Sequence, residues 1–157
     1  NQAGAMIAKY DNVNKSYSIY EYAVATGWRL QVGNVFRFTA GGSYWVTGTP
    51  AATVTFLGRV ASTATSESLR QGPNLINLPT PRLRSTLENA SLTPRSGDEF
   101  AKYNNTRKAY EIMNVSGSGS WQRVDDTAAP VYGLNPTLGY WYIRNNASAI
   151  LYQLIRP

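Results

Sequence analysis

The chain has 157 residues, a net charge of +6, 43% hydrophobic residues and only 15% charged ones, which suits one ordinary core or two small, closely packed halves and excludes a disordered polyelectrolyte. It contains neither cysteine nor histidine, so disulfides, thiolate metal sites and Ser-His-Asp or Cys-His catalysis are unavailable. No apolar run approaches the roughly 20 residues that span a bilayer, and the 15 basic residues are dispersed, as on a solvated surface, instead of gathered into a nucleic-acid-binding tract.

Short β-branched and aromatic segments separated by Gly, Asn, Pro and Ser run from end to end, an all-β pattern. The polar start Asn1-Gln2-Ala3-Gly4 has neither a basic nor an apolar leader region, so export implies a signal already removed. Met6–Tyr10, Ser16–Val24, Trp28–Val32, Ser43–Thr47 and Thr53–Val60 read as strands of a first unit over residues 1–60. In the last of these, Val54, Phe56 and Val60 share one face and Thr53, Thr55 and Arg59 the other, a period of two that no helix satisfies. Residues 61–68, nearly all Ala, Ser and Thr, read as a linker.

The second unit, residues 69–157, opens with Gly72-Pro73-Asn74-Leu75-Ile76-Asn77-Leu78-Pro79, a strand that the final proline should stop because proline cannot donate to a ladder. Thr80 can cap a short helix over Thr80–Glu88, with Pro81 at its first position and Leu83 and Leu87 on one face. Strands resume at Glu99–Tyr103, Lys108–Val115, Ser120–Val124, Gly139–Ile143 and Ser148–Ile155.

The two units are copies. An offset of 93 superposes residues 4–28 on 97–121 without a gap and matches Gly4, Ala8, Lys9, Tyr10, Asn12, Lys15, Tyr17, Ile19 and Trp28 with identical residues. After a three-residue insertion, an offset of 96 places Tyr44-Trp45 on Tyr140-Trp141. Each copy therefore carries a hairpin, with an Asn-rich turn between two tyrosines that can pair across its strands. The tryptophans Trp28, Trp45, Trp121 and Trp141 are expected in the cores. The expected fold class is all-β: two tandem β-sandwich-like units with one short helix in the second.

The copies begin differently. Residues 69–96, comprising the Asn74–Leu78 strand and the helix, precede the second hairpin and have no counterpart before the first. Two explanations are open. Either the duplication is unequal, or a sheet edge at Met6, Ile7 and Ala8 is left open for strand addition by a neighbouring chain. Head-to-tail addition of that kind does not close on itself and makes fibres.

Gly72-x-Asn74-Leu75-Ile76-x-Leu78-Pro79, then Gly97-Asp98 with Tyr103 and Tyr110, Trp121, and Gly139-Tyr140-Trp141, resemble a family of exported, duplicated β-rich surface proteins of environmental bacteria. Thr55-Phe56-Leu57-Gly58-Arg59-Val60 is similar to the strand typical of that family between copies. The resemblance spans nearly the whole chain. It implies a secreted or cell-surface location and no particular catalysis.

Only carboxylate pairs remain as candidates for hydrolytic chemistry, and Glu21 with Glu111 or Asp98 with Glu99 would have to stand roughly 5–10 Å apart across a cleft. Glu21 aligns with Asn114 and Glu111 with Ser18, so neither copy repeats the other's acid. Asp125-Asp126 lacks an EF-hand pattern and reads as a solvated turn. No catalytic residue, cofactor or resident metal is expected. Aromatics are the richest resource, and Tyr20, Tyr22, Tyr132 and Tyr142 are the candidates for an interface or a glycan contact. The leading expectation is an extracellular structural protein that associates with copies of itself. The alternatives are a polysaccharide-binding module and a viral or phage coat subunit, only the last of which would meet nucleic acid.

Overall fold

Runs of alternating residues with β-branched and aromatic side chains form strands along the described residues, and the fold is all-β. The computed structural model describes residues 3–39, 42–48, 65–77, 94–124, 133, 135, 138–146 and 150–154. Strands β1 (Met6–Asp11), β2 (Ser16–Ala23), β3 (Gly27–Val32) and β4 (Tyr44–Thr47) form an antiparallel sheet in the order β3-β2-β1-β4. The second sheet draws on β6 (Gly72–Asn77), β7 (Glu99–Asn104), β8 (Ala109–Val115), β9 (Trp121–Arg123) and β10 (Gly139–Arg144), ordered β6-β10-β7-β8-β9. A separate ribbon pairs β5 (Thr65–Leu69) with β11 (Ile150–Leu154). The predicted strand Thr53–Val60 and the predicted helix Thr80–Glu88 lie outside the described residues.

One expectation is corrected by β5. The stretch 61–68 was expected to be a linker, but residues 65–68 are strand, because backbone pairing with β11 supplies the ladder that their Ser- and Thr-rich composition does not promise.

The duplication holds in three dimensions. Strands β1 to β4 correspond to β7 to β10, in the same order and register: Ala8 faces Ile19 and Trp45 as Ala101 faces Ile112 and Trp141. Even a loop anchor repeats. The Tyr44 hydroxyl accepts from the Thr39 N–H (2.9 Å), and 96 positions on the Tyr140 hydroxyl accepts from the Asn135 N–H (2.6 Å).

One face of each sheet is turned toward the other unit. Tyr10 packs edge-on against Trp141 (4.9 Å between ring centroids), and the copy of Tyr10, Tyr103, packs against the copy of Trp141, Trp45 (5.7 Å). Equivalent residues also approach each other: a Cβ built on Gly139 would lie 3.5 Å from Ser43. Reciprocal contacts of this kind are those of an isologous interface, so the two units are related by an approximate two-fold axis.

The opposite faces differ. In the second sheet Phe100, Met113, Tyr140, Tyr142 and Trp121 are buried, whereas the equivalent face of the first leaves Trp28, Leu30 and Val46 about 40% exposed.

Candidate strand-docking site

The first hairpin turn is built by its own side chains. Asp11 Oδ1 accepts from the N–H groups of Val13 (2.8 Å) and Asn14 (2.9 Å), and Asp11 Oδ2 accepts from Asn14 Nδ2 (2.8 Å). This Asx turn leads into Lys15, which adopts a left-handed φ of 51°. Those hydrogen bonds, that from the Asn14 N–H first, hold the Asp11 carboxyl below its ordinary pKa.

With Asp11 holding the turn, the side chain of Asn12 is free to face the other unit. It reads the outer edge of β6: its Oδ1 accepts from the Leu75 N–H (2.7 Å) and its Nδ2 donates to the Leu75 carbonyl (3.2 Å). The carboxamide thus does for one residue what a neighbouring strand would do. Two residues away along β6, Lys15 Nζ donates to the Pro73 carbonyl (2.6 Å). Desolvation, with the nearby Arg70 charge, lowers the Lys15 pKa, and Asp11 opposes that shift. Asn12 is buried, and losing it would leave both backbone groups of Leu75 unpaired, at a cost of about 1–3 kcal/mol.

The strand that receives this clasp is itself specialised. Gly72 takes a φ of 80°, and the fully buried Asn74 accepts from the Arg70 N–H (3.0 Å) while donating to the carbonyls of Arg70 and Gly72 (2.8 Å each) and of Tyr142 (3.2 Å). The Gly-x-Asn of the sequence is therefore a device for starting β6 against β10.

The second hairpin repeats the two backbone hydrogen bonds of the turn. Asn104 Oδ1 accepts from the N–H groups of Thr106 and Arg107 (3.0 Å each), and Lys108 has a φ of 53°. Asn104 Nδ2 also donates to Glu111 Oε1 (2.6 Å), and Glu111 pairs with Lys102 (2.9 Å); that hydrogen bond and the lysine hold the Glu111 carboxyl low. The counterparts of the clasping residues, Asn105 and Lys108, are exposed and make no hydrogen bond among the described residues.

No family model, no curated protein sequence and no solved structure matches the chain. The internal copy is accordingly the comparison that interprets the site.

Several sequence expectations are corrected here. Met6, Ile7 and Ala8 are not an open edge: they sit in β1, paired with β2 on one side and β4 on the other. Among the described residues the sheets end at β3, β4, β6 and β9, and the outer side of β4 corresponds to the side of β10 that pairs with β6. Tyr142 is no surface contact; it is fully buried and donates to Asp98 Oδ2 (2.7 Å), and burial raises its pKa far above the ordinary value. Tyr132 lies outside the described residues. Trp28 is 38% exposed instead of buried as a core anchor, because its face of the first sheet is incompletely covered.

Tyr20 and Tyr22 are half-buried on β2. Tyr20 lines a hollow of about 260 Å³ with Ile7, Trp28, Phe36 and Phe38, and Tyr22 packs against Trp28 (5.4 Å). The proposed carboxylate pairs are not drawn into a cleft. Asp98 is consumed by Tyr142 and by the N–H groups of Arg95 and Asn145 (3.1 Å each), and Glu21 and Glu111 belong to different sheets. Among the described residues no cluster of acids is arranged to hold a metal. The Asp125-Asp126 pair lies outside them.

Sequence reasoning took the Lys-Tyr-Asn turn for a hairpin and missed Asn12 and Lys15 as clasping residues. The available signal was their identity with Asn105 and Lys108 at turn positions where Gly or Asp serves equally well.

Proposed function

We propose that this protein is a non-enzymatic structural repeat protein, secreted or held at the cell surface, whose units associate end to end through strand edges. The observation that carries this reading is the joint between its two units. A hairpin turn of one unit seals the sheet edge of the next with Asn12 and Lys15, and the chain presents a second turn of the same geometry at its surface. A joint that one repeat uses on another is reusable between chains, and the side of β4 that has no partner among the described residues supplies an edge for it to complete. Light scattering of the purified protein over a range of concentrations, with negative-stain microscopy, tests the reading. Filaments or concentration-dependent oligomers are expected, and a monomer that persists at high concentration would overturn it.

A second reading, a polysaccharide-binding module, is favoured by the aromatic hollow beside Tyr20 and Trp28. Tyr20→Ala abolishing retention on a glycan affinity gel would support it over end-to-end association.

A further inference from the structure

The approximate two-fold axis makes a specific demand. The first turn clasps β6, the strand that borders β10. Under the same symmetry the second turn, Asn104–Lys108, faces the strand position that borders β4. We infer that the outer edge of β4, which has no partner among the described residues, and the exposed pair Asn105 and Lys108 are two walls of one strand-binding slot, and that its occupant is an extended Gly-x-Asn-Leu-Ile segment carried by a neighbouring polypeptide and not engaged in a sheet of its own. This rests on the end-to-end reading above and names the partner and site of that association.

Four features of the chain converge on the slot. The aromatic contacts are reciprocal, Tyr10 on Trp141 and Tyr103 on Trp45, so the units stand in the relation the symmetry requires. The two turns share their Asx hydrogen bonds and their left-handed lysine, so Asn105 and Lys108 project as Asn12 and Lys15 do. The registers of β4 and β10 on their inner neighbours are the same. Finally, the clasped groups of Leu75 point away from β10, so Leu75 and Trp141 form a non-hydrogen-bonded pair, and it is Tyr140 and Tyr142 that bond across to β6. Their counterparts Tyr44 and Val46 therefore turn their backbone N–H and C=O groups to the outer side of β4.

The register of the bound segment follows. Its leucine sits beside Trp45, as Leu75 sits beside Trp141, with its N–H and carbonyl held by Asn105. Its asparagine lies opposite Val46 and the following isoleucine opposite Tyr44, as Asn74 and Ile76 lie opposite Tyr142 and Tyr140. Lys108 donates to the carbonyl two residues before the leucine, as Lys15 does to Pro73. The segment would cover Val46, which is 40% exposed where its copy Tyr142 is fully buried.

A synthetic peptide with the sequence of residues 70–78 provides the probe, titrated into the full chain and followed by amide chemical shifts and hydrogen exchange. Saturable binding that protects the amides of Tyr44 and Val46 is expected. Asn105→Ala, at an exposed turn position, should weaken binding about tenfold through loss of its paired hydrogen bonds. Val46→Pro, which removes an outward N–H at a sheet-edge position where proline is tolerated, should abolish it. A peptide N-methylated at the leucine should lose what Asn105→Ala loses, and combining the two should cost little more. Absence of binding, binding that spares β4, or binding indifferent to Asn105→Ala would each overturn the slot. Peptide binding to a strictly monomeric protein would uphold the slot while ending the end-to-end reading. Oligomers that form without any peptide affinity would do the reverse.

Discussion

The two copies of the repeat share strand order, register, turn geometry and a tyrosine loop anchor, yet they bury different amounts of the same surface. Phe100 and Met113 are inaccessible in the second unit, while Trp28, Leu30 and Val46 on the matching face of the first keep about 40% of their surface. The turns differ in the same sense, since Asn12 is buried on β6 and Asn105 is exposed. Local sequence sets the shape of each element, and neighbours decide whether that shape becomes core or interface. Duplication thus creates a matched pair in which one member displays the bound state of a contact and the other its open state.

The pair is sharpened by substitutions made in matching parts of the two copies. The largest contrast is expected in the cores. Phe100→Ala should cost about 3–5 kcal/mol by cavity formation, whereas Phe38→Ala, at a side chain about half exposed, should cost under about 1.5 kcal/mol in urea denaturation. Equal losses would show that the first unit is as fully packed as the second.

The turns provide the next test. Asn12→Ala should destabilise by about 2–3 kcal/mol because it orphans the N–H and carbonyl of Leu75, and Asn105→Ala should stay within about 0.5 kcal/mol in the isolated chain. If Asn105→Ala proves the costlier, the assignment of bound and open turns is inverted.

A pH titration separates two further elements. Burial and the Asp98 carboxylate raise the Tyr142 pKa above its ordinary 10.0, so the folded state keeps a proton that the unfolded chain releases. Its stabilisation is complete below pH 10 and is lost as pH rises through the folded value, so denaturation midpoints should fall above pH 10 and fall less in Tyr142→Phe. Asp11 behaves in the opposite sense. Its lowered pKa adds stability that is present above the ordinary 3.8 and fades as pH falls through the folded value. The smallest effect is expected for Asp11→Asn, within about 0.5 kcal/mol at neutral pH, because Asn104 builds the same turn with a carboxamide. It should flatten the acid side of the stability profile.

Much of the fold was legible in the residues. Alternating aromatic and β-branched segments marked ten of the eleven strands among the described residues to within a few positions, because period-two burial leaves its imprint directly on sequence. β5 was not legible: Ser and Thr specify no buried face, and only pairing with β11 makes that segment a strand. The candidate site was half legible. Matching Asn and Lys at an offset of 93 revealed the repeated turn, but an Asn that supports a turn and an Asn that grips a neighbouring backbone look alike in a linear chain. The open edge was placed at Met6–Ala8 because that segment comes first, whereas strand order puts β1 between β2 and β4 and leaves β4 at the sheet edge among the described residues.

The sequence by itself determined the all-β class, the duplication, the hairpin turns and the lack of cysteine and histidine chemistry, since each depends on residue type and local period. Only the tertiary structure decided which strands stand at the sheet edges among the described residues, which asparagine is engaged and that the units face each other about a two-fold axis. Those properties belong to pairs of residues distant along the chain, such as Asn12 with Leu75 and Tyr103 with Trp45, and no local preference encodes which distant backbone a side chain will meet.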